Sequence, residues 1–352
     1  MKKYFIMAVA VLASLTACQK DPEQIIVNDG TIKFMSVATR GLNKTPIVDI
    51  STFEKDKSFV VYGFMENEKG NVLTNVLWEN GVYPKYSATT SSSNIGQWAT
   101  VGEEIRYWAD AKYYNFYAFY NQGENTVKAT HASTVVEFNG GTDATTDFVA
   151  ASNCEIRGQV ANAPVQLAFK HQLSRVTIKF VNLFNDVNNR IEVTNIIVKA
   201  PTAATFTYTA PTAAGEAAVA VGDNANLVSV PFDVEGATDA KLTVNGVADG
   251  QNYLSANTTY KYFVPSTGAK SYEMTCDVYF ITKVGDKEIV TEKNYTVALP
   301  EWEYKAGESY EFIANVYDAV NPIIFNVTVK DWPTTNTHAG DVNIGGGTNK
   351  NK

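Results

Sequence analysis

Apolar residues along the chain alternate with polar ones in short runs, and Gly, Pro, Asn and Asp separate the runs. Alternation is the strand period, since successive side chains leave opposite faces. Residues 59–65 (FVVYGFM) carry apolar side chains at nearly every position, the pattern of a strand covered on both faces or nearly so. Residues 113–120 (YYNFYAFY) are the most aromatic run. Tyr114, Phe116, Ala118 and Tyr120 form one face, and Tyr113, Asn115, Tyr117 and Phe119 the other. Outside the first seventeen residues, no long segment repeats at helical spacing.

Residues 165–180 (VQLAFKHQLSRVTIKF) contain a parity break. Val165, Leu167, Phe169 and Leu173 share one face, whereas Val176, Ile178 and Phe180 share the other. A bulge or sharp bend near Ser174-Arg175 keeps both halves buried. The stretch is expected to open a second domain as a strand pair, past a boundary near residue 159 flanked by Gly158 and Pro164. Further strands are expected over 31–37, 147–151, 191–198, 260–264, 274–282, 289–297, 310–316 and 323–329. Asn80-Gly81, Asn139-Gly140-Gly141, Asn245-Gly246 and Gly285-Asp286 are the turn signals. Many short strands without helical blocks predict an all-β chain built as two tandem β-sandwiches, over 41–159 and 160–332. The polar, glycine-rich tail 333–352 offers only Val342 and Ile344 to a sheet.

Composition adds limits. With 352 residues, 45% hydrophobic and 19% charged, the chain can bury two cores. Its formal charge is −8, with no basic stripe, which argues against a nucleic-acid partner. Cys154 and Cys276 can pair in an oxidising compartment or pack as two separate buried thiols.

The first residues have their own pattern. Lys2 and Lys3 precede an apolar run over 4–15 that is too short to span a bilayer. Leu15-Thr16-Ala17-Cys18 then resembles the lipobox of bacterial lipoproteins, which implies a signal peptide over 1–17 and a lipid (palmitate-type) on the Cys18 thiol. The charged run from Gln19 to Glu23 resembles the surface-export signal of Bacteroidota lipoproteins. Residues 18–40 then read as a tether and a first strand. No second long apolar run follows, so the mature chain is expected to be lipid-anchored or soluble.

Several elements in order resemble the fimbrillin family of Bacteroidota, the Mfa-like subunits of type V pili. They are the lipobox leader, Ala38-Thr39-Arg40 after a first strand, the apolar run 59–64, and His171-Gln172-Leu173-Ser174-Arg175. Trp302 through Gly307 to Tyr310, and the closing Val327-Thr328-Val329-Lys330-Asp331-Trp332, complete the set. The resemblance implies transthyretin-like, Greek-key sandwiches and export to the outer membrane and cell surface as a lipoprotein. It also implies maturation by cleavage between Arg40 and Gly41. Loss of the first strand would vacate a groove filled by Ile32 and Phe34, and a strand from another subunit would replace it. Shaft subunits of the family donate a C-terminal segment. Here Asp341-Val342-Asn343-Ile344 is short with flexible flanks, so a tip or accessory role is nearly as well supported. The partners implied are other fimbrial subunits and a host or bacterial surface receptor.

Candidate chemistry is sparse. His131, His171 and His338 have no metal-ligand spacing, so no metal and no cofactor is expected. His171, between Phe169 and Leu173, is expected as a hydrogen-bonded core or interface histidine. Asp143 and Asp147 lack the spaced oxygens of a calcium loop, and no catalytic constellation stands out. Trp302 and Trp332 are expected to pack in core or edge positions. Trp98, in a polar context, is the candidate surface aromatic, and it carries the alternative reading of a glycan-binding lipoprotein.

Overall fold

The computed structural model describes residues 30–36, 59–68, 71–72, 77–87, 97–109, 112–120, 126–158, 164–184, 186–222, 226–233, 241–248 and 252–332. The first strands are β1 (Lys33–Ser36), β2 (Val60–Glu68), β3 (Asn71–Val72), β4 (Trp78–Val82), β5 (Lys85–Ser87), β6 (Gln97–Ala99), β7 (Tyr113–Tyr120) and β8 (Thr126–Ala129). Next come β9 (Ser133–Asn139), β10 (Val149–Arg157), β11 (Val165–Leu167), β12 (Lys170–His171), β13 (Ser174–Asn182), β14 (Asn189–Ala200), β15 (Ala203–Thr209) and β16 (Ala218–Val221). The last are β17 (Val228–Pro231), β18 (Leu242–Asn245), β19 (Ser255–Asn257), β20 (Lys261–Phe263), β21 (Glu273–Val284), β22 (Lys287–Ala298), β23 (Glu308–Val316) and β24 (Ile324–Asp331).

These strands form five sheets, as the all-β pattern predicts. The first, in order β11–β1–β6–β5, faces the second, β12–β10–β7–β2–β3 with β4 on β2. Their shared core holds Phe34, Phe59, Val61, Trp98, Phe116, Ala118, Val149 and Leu167. A third sheet, β16–β15–β9–β8, covers the other face of the second. That interface buries Val60, Tyr62, Phe64, Tyr117, Phe119, Ala150 and Phe206. The second sheet is thus apolar on both parities because it is a middle layer. This is the physical origin of FVVYGFM and YYNFYAFY.

Two further sheets form the C-terminal sandwich: β19–β13–β23–β24 with β20 on β13, and β17–β14–β21–β22 with β18 on β14. Its core includes Val176, Ile178, Phe180, Ile191, Val193, Tyr304 and Phe312. The long β21–β22 hairpin turns at Gly285, whose φ of 62° suits glycine. In the third sheet, β9 of the earlier half pairs with β15 of the later half, for example Phe138 with Ala204, and β8 and β16 flank that pair.

Two expectations change. The stretch 165–180 is not a strand pair of the second sandwich. β11 runs parallel to β1 (Phe34 opposite Val165), and β12 pairs with β10 (Val149 opposite His171). Only β13 enters the later sandwich, beside β23, from Arg175–Ser309 to Asn182–Val316 without a register shift. The parity break marks the crossing between cores, so no bulge is needed. Asn80-Gly81 is likewise no hairpin turn, because it lies inside β4. Gly81 has φ 78°, and a Cβ there would meet Val60 Cγ2 at 2.5 Å, so the close approach of β4 to β2 requires glycine.

Candidate strand-exchange site

β1 is an inner strand. It pairs in parallel with β11 and antiparallel with β6, where Phe34 lies opposite Trp98. Alternation sends Ile32 and Phe34 inward, and Phe34 is 0% exposed. Its ring centroid lies 5.8 Å from Trp78 and 5.6 Å from Phe116, the latter edge-on. The Ile32 N–H donates to Arg106 O at 2.8 Å, and the Trp108 N–H donates to Gly30 O at 2.9 Å. Burying each of these two side chains is worth roughly 1.5–3 kcal/mol. Withdrawing β1 would also leave ladder groups of β6 and β11 without partners and open a slot between them.

Trp98 is corrected by this geometry. It is 1% exposed and forms a wall of that slot, with its centroid 5.4 Å from Phe59. The polar residues before it made a surface position look plausible. Pairing of β6 with β1 turns its inward parity into the core. Trp302, expected in a core or edge position, is instead 41% exposed, with its backbone bridged to Lys270. Cys18, Arg40, Gly41, Val342 and Ile344 lie outside the described residues.

The motif residues far apart in sequence meet at one place. His171 Nδ1 lies 2.6 Å from Asp147 Oδ2, as a hydrogen-bonded histidine should, and its ring stacks on Trp332. Tyr262 stacks on the same indole at 5.3 Å, and the Arg175 guanidinium sits 5.0 Å above it. Ser174 Oγ donates to Lys305 O at 2.9 Å, the Gly307 N–H donates to Leu173 O, and the Trp332 N–H donates to Gly307 O. Thus residues 171–175 meet Lys305, Gly307 and Trp332 in one clasp where the chain crosses between sandwiches. Asp143 is elsewhere occupied, accepting from Thr145 Oγ1 at 2.9 Å.

Sequence reasoning missed Val165 and Leu167 as groove residues, although their shared parity was the signal. It also missed the grouping of Glu66, His131 and Glu155, which come from three separate elements.

A fimbrillin-like family model matches residues 39–332. A fimbrial protein from Bacteroides vulgatus ATCC 8482 superposes with a TM-score of 0.60 at 18% identity, covering 86% of this chain and 99% of that one, and shares the fold. A cell-adhesion candidate from Bacteroides uniformis ATCC 8492 gives 0.42 at 17% identity, over 87% and 100% of the two chains. The tip fimbrial protein Mfa3 from Porphyromonas gingivalis, truncated at its C-terminus, gives 0.33 at 9%, over 86% and 100%. No curated protein sequence matches. With most of its length matched by that model, the chain belongs to the fimbrillin-like family.

Proposed function

We propose that the chain is a non-enzymatic structural subunit of a cell-surface fimbria that assembles by exchanging β1 for a strand of another subunit. The observation that carries this reading is connectivity. Both partners of β1, the strands β6 and β11, lie after Gly41 in the chain. A cut between Arg40 and Gly41 separates β1 covalently from every strand it pairs with. A tethered strand re-pairs at high effective concentration, and a severed one is lost by dilution. Its replacement must present apolar side chains two residues apart, as Ile32 and Phe34 do. Val342 and Ile344 have that spacing.

In this reading Cys18 carries the lipid that holds the uncut chain to the outer membrane, and cleavage after Arg40 releases both anchor and strand. The net charge is unchanged by that step, because residues 18–40 hold three basic and three acidic side chains. In this reading the step changes the exposed slot and leaves the net charge as it was. The glycan-binding alternative loses its carrier, since Trp98 is a core residue.

A competition experiment tests the proposal. The chain is cut after Arg40, and a synthetic peptide of residues 28–38 is added in excess. The peptide should suppress oligomer growth, and the same peptide with Phe34→Asp should not. Oligomers that form equally with and without the native peptide would contradict strand exchange.

A further inference from the structure

Glu66 on β2, His131 in the β8–β9 connection and Glu155 on β10 point at one spot. One ring nitrogen and one carboxylate oxygen from each glutamate lie within 4.8 Å of one another. Glu66 and His131 are buried, 4% and 5% exposed, and Glu155 is half-buried. His131 Nδ1 lies 2.8 Å from Glu66 Oε1, and the buried His131 Nε2 has no hydrogen-bond partner.

The surrounding structure holds these groups in place. The fully buried Asn115 donates through Nδ2 to His131 O at 2.9 Å and accepts the Glu155 N–H on Oδ1 at 2.7 Å. Tyr117 Oη donates to the same His131 carbonyl at 3.0 Å. Glu155 takes φ 58° where β10 shifts register between Asn153 and Ile156. A bulge there re-aims its side chain relative to a regular strand. A neutral imidazole can ligate a metal ion through either ring nitrogen. Two carboxylate oxygens and one imidazole nitrogen at this spacing make a donor set for a divalent cation.

We propose that Glu66, His131 and Glu155 bind one divalent transition-metal ion, Zn²⁺ or a close analogue. One imidazole nitrogen with two carboxylate oxygens suits that class, whereas Ca²⁺ takes six to eight oxygens. The ion would clip β2 and β10 of the middle sheet to the β8–β9 connection of the third sheet. Its role is structural and independent of strand exchange.

The test uses the full chain carrying Cys18→Ser and His338→Asn, which removes a thiol and a histidine outside the described residues. The protein is stripped with EDTA, dialysed, and titrated with Zn²⁺ by calorimetry and with Co²⁺ by visible absorption. One equivalent should bind and raise the melting temperature. Glu155→Gln or His131→Asn should weaken binding by about tenfold or more. Should these variants fail to fold by circular dichroism, the parent titration decides alone. Substoichiometric uptake by the stripped parent, or binding undiminished in folded Glu155→Gln and His131→Asn, would overturn the proposal and leave a proton shared among the three groups.

Discussion

His171 and Trp332 lie face to face, their ring centroids 3.6 Å apart and their planes 9° from parallel. The contact joins β12, which belongs to the first sandwich assembly, to the residue that follows the last strand of the second. It is expected to be a main fastening of the two parts. Trp332→Ala should cost about 3 kcal/mol, as for other large buried aromatics. Urea unfolding followed by circular dichroism measures this, and a loss under about 0.5 kcal/mol, the usual surface value, would show the clasp to be incidental.

The tryptophans give a second, opposed pair of expectations. Trp98→Ala should destabilise the fold by about 3–5 kcal/mol because it empties a wall of the β1 slot. Trp302→Ala should change stability by less than about 1 kcal/mol, given its exposure. Thermal melts of the two variants check the ordering.

Cys154 and Cys276 are separate, buried free thiols, each with its pKa pushed by burial from 9.0 up to about 12. Burial similarly raises Tyr262 and Tyr272 from 10.0 to about 12. Between pH 9 and 12 the unfolded chain releases these protons while the folded chain retains them. The unfolded state then binds fewer protons, so stability falls as pH rises. The stabilisation is fully present below pH 9 and lost through pH 12, by up to about 1.4 kcal/mol per pH unit for each group. Urea midpoints from pH 8 to 11 should decline with increasing slope. Ellman's reagent should label neither thiol in the native chain and both after unfolding.

Phe34→Ala should destabilise the uncut chain by about 3 kcal/mol. The same change weakens the hold on the severed strand. After cleavage at Arg40 the variant should therefore lose its β1 peptide, and form oligomers, faster than the wild type. Peptide retention on size-exclusion chromatography measures the first effect and light scattering the second.

Much of this fold was legible in sequence because burial writes itself into parity. The two-sided apolar character of residues 59–65 and 113–120 follows from their place in a sheet covered on both faces. The parity break after Leu173 was equally visible, but its cause was not. Continuity suggested one bent strand pair, whereas β11 and β12 pair with strands near residues 34 and 150, a choice made by long-range contacts. The burial of Trp98 was not legible because a polar run, residues 87–94, precedes it and β6 spans three residues, too few to show alternation. Glu66, His131 and Glu155 share no spacing rule, since sheet topology alone brings them together. The expected cleavage at Arg40 rests on family resemblance, because a single arginine has no pattern of its own.

In the proposed assembly, cleavage after Arg40 frees β1 and thereby licenses oligomer growth. The most direct test is light scattering on size-exclusion chromatography of wild type and Arg40→Ala after treatment with an Arg-specific protease, with N-terminal sequencing of the product. The wild-type product should begin at Gly41 and grow into oligomers, while Arg40→Ala should stay monomeric. A wild-type product beginning at Gly41 that remains monomeric, or an Arg40→Ala chain that oligomerises as readily, would contradict the proposal.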